Sequence, residues 1–566
     1  MVTKSGVGAL KGTNDILVHS DADKAEVLNM CYSSIFTTDN GIIPDFPNRV
    51  TDDVILNSVD FNSSIVYKHL RQLKPKTSSG PDGLPAVFFK QLASSLALPL
   101  SLLYTTSFNA GDLPDIWKMA NIVPIFKKGQ TCDPSNYRPT SLTCVLCKIM
   151  ESIIKDSVIK YLLANKLITK QQHGFLAKHS TCSQLLESVN DWSIALNVRN
   201  SVDVVYIDFK KAFDSVVHSK LLHKLKAFGI SGILLQWLTN FLHNRYQSVK
   251  VGTHCSNFSP VTSGILQGSV LGPLLFLIYI NDIVDIIGPN LTAKLFADDV
   301  KIYVNITDID SISQLQDSLF AISRWAAEWQ LNISINKCAV LHLGRNNLTY
   351  DYGLDGVTLP NVREMRDLGV LVNSNLSFSS HYAQITAKAH QRAGLILRCF
   401  KSRDPFVLFR AFIVYVRPLL EYCSPVWSPV YKTDIIKIES VQRRFTKRLR
   451  GLACLPYKDR LQFLSAETLE LRRLKQDLLT LYKIINGFID VDVSQFFELC
   501  TYSQTRGHNF KLVKSVYNNN ARAFSFACRR VDCWNALPAE TVHAKSIAVF
   551  KHLLDCHNFF YKFLLI

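Results

Sequence analysis

Apolar and polar residues alternate in distinct rhythms along this chain, and the rhythms predict its elements. Val202–Ile207 (VDVVYI) is a β-branched, mostly apolar run of strand length. Leu295–Ala297 and Val300–Val304 are short apolar runs flanking Asp298 and Asp299, the pattern of two strands joined by a tight turn. Ala120–Phe126 (ANIVPIF) reads as a strand, and Pro124, with no N–H to donate, predicts an edge or a bulge there. Helical spacing runs through Phe213, Val216, Val217, Leu221, Leu222 and Leu225. Helices are also expected over Asp21–Thr37, over Ser141–Leu163, and over Ala86–Phe108 with a break at Pro99. Thr181 followed by Gln184 resembles a capping box opening a helix to about Ala195. Lys76–Pro85 (KTSSGPDGLP) is a loop. Beyond about residue 380 the pattern turns helical and basic, with segments near Ala383–Cys399, Thr433–Leu452 and Leu469–Ile485. After residue 500 it is mixed and assigns no fold.

Composition narrows the class. At 566 residues, with 48% hydrophobic and 19% charged residues, the chain has material for several packed units and is not disordered, collagen-like or coiled-coil. Its 14 cysteines are scattered, which argues against a disulfide-stapled secreted domain. The longest apolar run, Leu274–Ile280, is too short to span a bilayer, and no signal peptide is visible. A soluble protein of a reducing compartment is expected, with no membrane partner. The net charge of +17 points to a polyanionic partner. Much of the excess lies in residues 381–475, where 19 basic and 7 acidic residues leave a net of +12. There Arg443, Arg444, Lys447, Arg448 and Arg450 interleave with Ile435, Ile436, Ile438, Val441, Phe445 and Leu449. An amphipathic helix with a basic, phosphate-contacting outer face is expected.

Three acids carry the candidate chemistry. Asp208 would end a buried strand, and Asp298 and Asp299 would sit at the hairpin turn. Singly, Asp299 reads as a turn residue and Asp208 as a helix cap. If the two elements are neighbours in one sheet, three carboxylates converge. Such oxygen donors suit hard divalent cations, and a metal pair stabilises the attacking and leaving oxygens of phosphoryl transfer. Cys144-x-x-Cys147 lies in an apolar helical pattern and reads as core rather than zinc. Cys528, Cys533, Cys556 and His557 lack the spacing of a zinc knuckle.

The motifs resemble those of a known family, the reverse transcriptases of non-LTR (LINE-type, jockey-like) retrotransposons. VYIDFKKAFDSVVHSKLLHKL at Val205–Leu225, SGILQGSVLGPLLFLIYINDI at Ser263–Ile283 and LFADDVKIY at Leu295–Tyr303 resemble its catalytic motifs. LNISINKCAVLHLG at Leu331–Gly344 and RDLGVLV at Arg366–Val372 resemble the two that follow. SSGPDGLP, PIFKKG, NYRPTSL and QHGFLAKHST, within residues 78–181, resemble its finger motifs. RPLLEYCSPVWSP, LRRLKQDLLTLYKI and VDCWNALPAE resemble segments downstream of the palm.

The resemblance implies an α+β right-hand polymerase. It divides the chain into a lead-in (1–77), fingers with part of the palm (78–200), palm (201–375), basic helical thumb (376–490) and a C-terminal region (491–566). It implies an RNA template, a DNA primer, dNTPs and two Mg²⁺ ions, with Mn²⁺ as a substitute, held by Asp208, Asp298 and Asp299. Lys127, Lys128 and Arg138 would neutralise the triphosphate. Phe213, five residues after Asp208, would exclude ribonucleotides. Gln267 and Gly268, in the loop marked by Gly264 and Gly272, would lie beside the incoming base and template. Lys337 would protonate the departing pyrophosphate, and Leu368 and Gly369 would form the primer grip. Arg443, Arg444, Lys447 and Arg448 would hold the duplex. Synthesis in the cytoplasm and action in the nucleus follow from the same resemblance. The stretch before Ser78 resembles the linker into the polymerase, so the family's N-terminal endonuclease is expected to be lacking. The rival readings are an element remnant that only binds nucleic acid, and a metal-dependent nuclease using the same acids.

Overall fold

A computed structural model describes residues 6–12, 15–51, 53–500, 507–557 and 563–565. Its organising feature is a five-stranded sheet in the order Asn361–Val362, Ala339–Leu343, Ser201–Ile207, Asp299–Ile306, Thr292–Phe296. All pairings are antiparallel except that of the first two strands. Every residue of the central strand Ser201–Ile207 is buried. Side chains alternate faces along a strand, and here each face has its own core. Val205 and Ile207 join one apolar cluster, whereas Val202, Val204 and Tyr206 join another. That explains why VDVVYI reads as a continuous apolar run rather than a polar–apolar alternation. The first core is completed by helices Val145–Ala164, Gly272–Ile280 and Ile309–Glu328. The second is completed by Thr181–Asn197, Ser379–Cys399, Lys432–Lys447 and Leu469–Ile485. Short helices between Asn520 and Cys556 close it, with Trp534 fully buried.

A second sheet pairs Met119–Phe126 with Tyr137–Leu142 on one side and Arg245–Val251 on the other. Helix Asp21–Ser33 covers it through a small third core. The mixed helix-and-sheet class expected from the sequence is therefore present.

Several local expectations need correction. Pro124 lies in an internal strand, not at an edge. It is tolerated because pairing with Arg245–Val251 covers only Met119–Ile122, and Pro124 faces Pro139 on the other side. The helical segment breaks at Leu92, not Pro99, and runs as Ala86–Gln91 and Ala93–Ala110. Burial of Leu100, Tyr104 and Phe108 carries the helix through the proline's lost hydrogen bond. Ser141 belongs to a strand, and the helix begins at Val145. Ser180, one residue earlier than expected, is the cap of the helix Thr181–Asn197, with Ser183 completing the box. Phe213 lies in a turn and Val216 and Val217 in the irregular backbone after it, and the helix starts only at His218. Among the described residues no helix is long and apolar enough to cross a membrane.

Candidate active site

Strand pairing decides where the carboxylates meet. Val300 pairs with Ile207, so one further step along the ladder brings Asp299 opposite Asp208. Asp298 shares the hairpin turn with Ala297, whose φ is 57°. The turn is held from outside the hairpin. The Gln172 side-chain oxygen accepts the N–H of Ala297 at 2.9 Å and that of Gly174 at 2.7 Å. A Cβ on Gly174 would lie 2.4 Å from the Ala297 nitrogen, so only glycine fits.

The three acids feel one another. Asp299 is pushed up to about 6, first by burial and then by the charges of Asp298 and Asp208. Asp298 is also raised, chiefly by burial with Asp208 adding, while Arg138 and Lys127 pull it back. Those two cations thus act on the cluster from the hairpin of the second sheet, and Lys128 is exposed beside them. Asp208 is met by Lys337, whose Nζ lies 2.8 Å from Oδ1. The Ser334 N–H donates to the Asp208 carbonyl at 2.7 Å and folds the Ile335–Lys337 turn over the strand end. Among the described residues, no three His, Cys, Asp or Glu side chains are gathered closely enough to hold a metal ion.

The loop before the helix Gly272–Ile280 is fastened on three sides. The Gln267 amide donates to both Asp214 oxygens, at 2.8 and 3.0 Å. Its carbonyl accepts the Ser141 N–H at 2.7 Å. At Gly268, with φ 126°, a Cβ would lie 2.4 Å from the Ser141 carbonyl oxygen. Buried Glu151 accepts the N–H groups of Val270 and Leu271 at 2.7 and 3.1 Å. Phe213 stacks on Phe276 with ring centroids 4.3 Å apart and packs half-buried against the first core.

Leu368 and Gly369 form the turn of a hairpin, with φ of 42° and 92°. The Tyr422 hydroxyl, itself within hydrogen-bond reach of Thr181, donates to the Leu368 carbonyl at 2.9 Å. Asp367, at the end of the strand entering the turn, forms a buried ion pair with Lys301 of the central sheet. This ties the turn to the strand that begins with Asp299. Arg443, Arg444, Lys447 and Arg448 are all exposed, while Val441, Phe445 and Leu449 are buried beneath them. Cys144 and Cys147 lie in the first core, as expected.

Sequence reasoning missed Gln172, Asp214, Glu151, Lys301, Asp367 and Tyr422. The other five lie inside the motif segments quoted above without having been given a role, and Glu151, outside them, stands out as an acid inside the apolar run IMESII.

Residues 125–372 match the family model described as reverse transcriptase (RNA-dependent DNA polymerase). The chain carries a reverse transcriptase domain. That domain takes in the whole central sheet, all three acids and the Leu368–Gly369 turn. The chain is 28% identical over 394 residues to the RNA-directed DNA polymerase from mobile element jockey of Drosophila melanogaster, covering 68% of this chain and 43% of the relative. It is 27% identical to the probable RNA-directed DNA polymerase from transposon X-element of the same fly, covering 66% and 42%. It is also 27% identical to the corresponding protein of transposon BS, covering 69% and 44%. The relation to non-LTR retrotransposon polymerases expected from the motifs is borne out. The chain spans less than half the length of these curated relatives.

Proposed function

We propose that this chain is an RNA-directed DNA polymerase that extends a primer 3′-hydroxyl with dNTPs on an RNA template. The observation that carries the reading is the meeting of Asp208, Asp298 and Asp299 at one sheet end, under the charges of Lys127 and Arg138. The central sheet serves as palm, the second sheet and the helices before it as fingers, and the basic helices after residue 376 as thumb. The 491–566 region closes the second core.

In chemical kind the donor set suits hard divalent cations, although the three carboxylates as placed are not gathered closely enough to hold one. It is all oxygen, and Asp298 and Asp299 are raised first by burial and then by neighbouring carboxylate charge, both of which a cation would offset. Asp208, Asp298 and Asp299 would hold the ions. Bound there, Mg²⁺ or Mn²⁺ would stabilise the charge on the reacting phosphate oxygens. Lys127 and Arg138, with Lys128 adjacent, bind the triphosphate. The primer hydroxyl gives its proton to water, its oxygen bonds to the α-phosphorus, and the α–β bridging bond breaks to release pyrophosphate. Lys337, poised on Asp208, supplies a proton from Nζ to the leaving group. Phe213 bars a ribose 2′-hydroxyl. Asp214 holds Gln267 so that the loop through Gly268 presents a fixed wall to base and template. Leu368 and Gly369 seat the primer, and the Arg443–Arg448 face grips the duplex.

The test is primer extension on an RNA template with Mg²⁺ or Mn²⁺. Asp298→Asn should keep the fold and duplex affinity while extension falls at least a thousandfold. Extension near the wild-type rate by the folded variant would remove Asp298 from the mechanism. A wild-type chain that binds duplex but never extends it would favour the binding-only reading.

A further inference from the structure

A cavity of about 960 Å³ opens at the opposite end of the central sheet from the acids. Ser201 lines it and begins the strand that Asp208 follows, so the two places lie roughly 20 Å apart at strand rise. Its walls come from distant segments of the second core: the end of helix Thr181–Asn197, the turns at 344–346 and 374–379, the start of helix Lys432–Lys447, and residues 518–525. Nothing in the proposed polymerase chemistry uses it.

The lining has three kinds of group. Arg199 and Arg345 are exposed, and neither forms an ion pair among the described residues. Asp434 is the one acid lining it, so positive charge prevails. Tyr431 is 53% exposed and meets the edge of Phe524 at 5.2 Å between centroids. Asn520 donates to the Tyr431 hydroxyl at 3.2 Å and steadies the ring. Asn200, Asn346 and Asn375 add amides that both donate and accept.

We propose that this cavity binds a single-stranded segment of nucleic acid, at a site separate from the carboxylate cluster. Guanidiniums suit phosphates, an exposed ring suits a base face, and amides suit base edges. The volume admits a few nucleotides of one strand and excludes a duplex. The site goes beyond the polymerase reading, since a strand could occupy it whether or not the acids catalyse.

The experiment uses the full chain with two ten-nucleotide probes, RNA bearing 4-thiouridine and DNA bearing 4-thiothymidine. Irradiation followed by peptide mapping should find crosslinks at Tyr431 or Phe524, and the stronger arm identifies the source of the strand. The Arg199→Glu, Arg345→Glu double variant should lower the slope of log affinity against log salt by about 1.4, at about 0.7 per lost phosphate contact. Tyr431→Leu should weaken binding about tenfold. Extension of a pre-annealed primer–template should stay within about twofold in both variants, by the separation of the two sites. Crosslinks confined to the carboxylate end, or an unchanged salt slope in the folded double variant, would overturn the proposal. If the double variant does not fold, the crosslink map on the unaltered chain decides. A wild-type chain that crosslinks at Tyr431 yet never extends a primer would sink the polymerase reading and leave this one standing.

Discussion

Glu151 offers the most discriminating stability experiment in the molecule. Its side chain is fully buried, and one oxygen accepts both N–H groups that precede the helix Gly272–Ile280. Those donors have no partner within the helix. Burial, the largest influence, pushes the Glu151 carboxyl above its usual range, while the two N–H bonds and the charge of Arg245 pull it back. Glu151→Ala deletes two hydrogen bonds to a charged acceptor, each contributing about 1.5–3 kcal/mol. It also leaves buried Arg245 without that charge nearby. A loss of about 3–5 kcal/mol follows. Glu151→Gln keeps an oxygen in the same place and removes the cost of burying a charge, so it should fall within about 1 kcal/mol of wild type. Urea unfolding followed by tryptophan fluorescence measures both. The same loop carries Gln267, so residual folded Glu151→Ala should show a raised KM for dNTP in primer extension. The reasoning fails if Ala and Gln cost the same, or if Ala costs under 1 kcal/mol.

Three further outcomes are expected. Phe213→Val should raise ribonucleotide incorporation relative to deoxynucleotide by about tenfold or more, the discrimination a single steric contact supports; an unchanged ratio returns Phe213 to a packing role against Phe276. Reversal of Arg443, Arg444 and Lys447 to Glu should weaken duplex binding and flatten its salt slope by about 2–3, near 0.9 per lost contact; a full slope would make these residues a solvated face. His342 is buried, which disfavours its charge, but its hydrogen bond to Asp203 and that carboxylate's charge outweigh burial and raise its pKa. Its contribution is therefore complete below about pH 6.5 and lost as pH rises through the folded value. Unfolding free energies at pH 6 and pH 8 should fall for wild type and stay flatter for His342→Gln; equal slopes would refute the pairing.

What could be read from residue order alone was local. The strand before Asp208 and the Asp298 hairpin announced themselves because each is a continuous apolar run ended by polar residues. Leu469–Ile485 was legible to the residue, since Thr468 caps it and its apolar positions keep helical spacing. Tyr137–Leu142 was not, because a six-residue strand containing Pro139 is defined by partners and not by its own pattern. The site followed the same division. The acids were visible as motif residues. Their supports were invisible because each works across a gap: Asp214 reaches Gln267 over 53 residues, Lys301 reaches Asp367 over 66, and Glu151 reaches Leu271 over 120. Isolated acids and lysines carry no mark of such distant engagements.

The clasp between Gln172 and Ala297 also sets a timetable. Those two residues are 125 apart, and the clasp on the Asp298 turn forms only when both are present. Lys301 must then find Asp367, 66 residues further on. Contacts of such separation form late, because the intervening loop must first be closed. A ribosome that has delivered the central strand and its hairpin has therefore supplied the three acids and the Gln172 clasp, but not the partner of Lys301 that ties in the Leu368–Gly369 turn. A chain ending short of Asp367 would carry all three acids but leave Lys301 a buried cation without its carboxylate, a cost of about 3–5 kcal/mol.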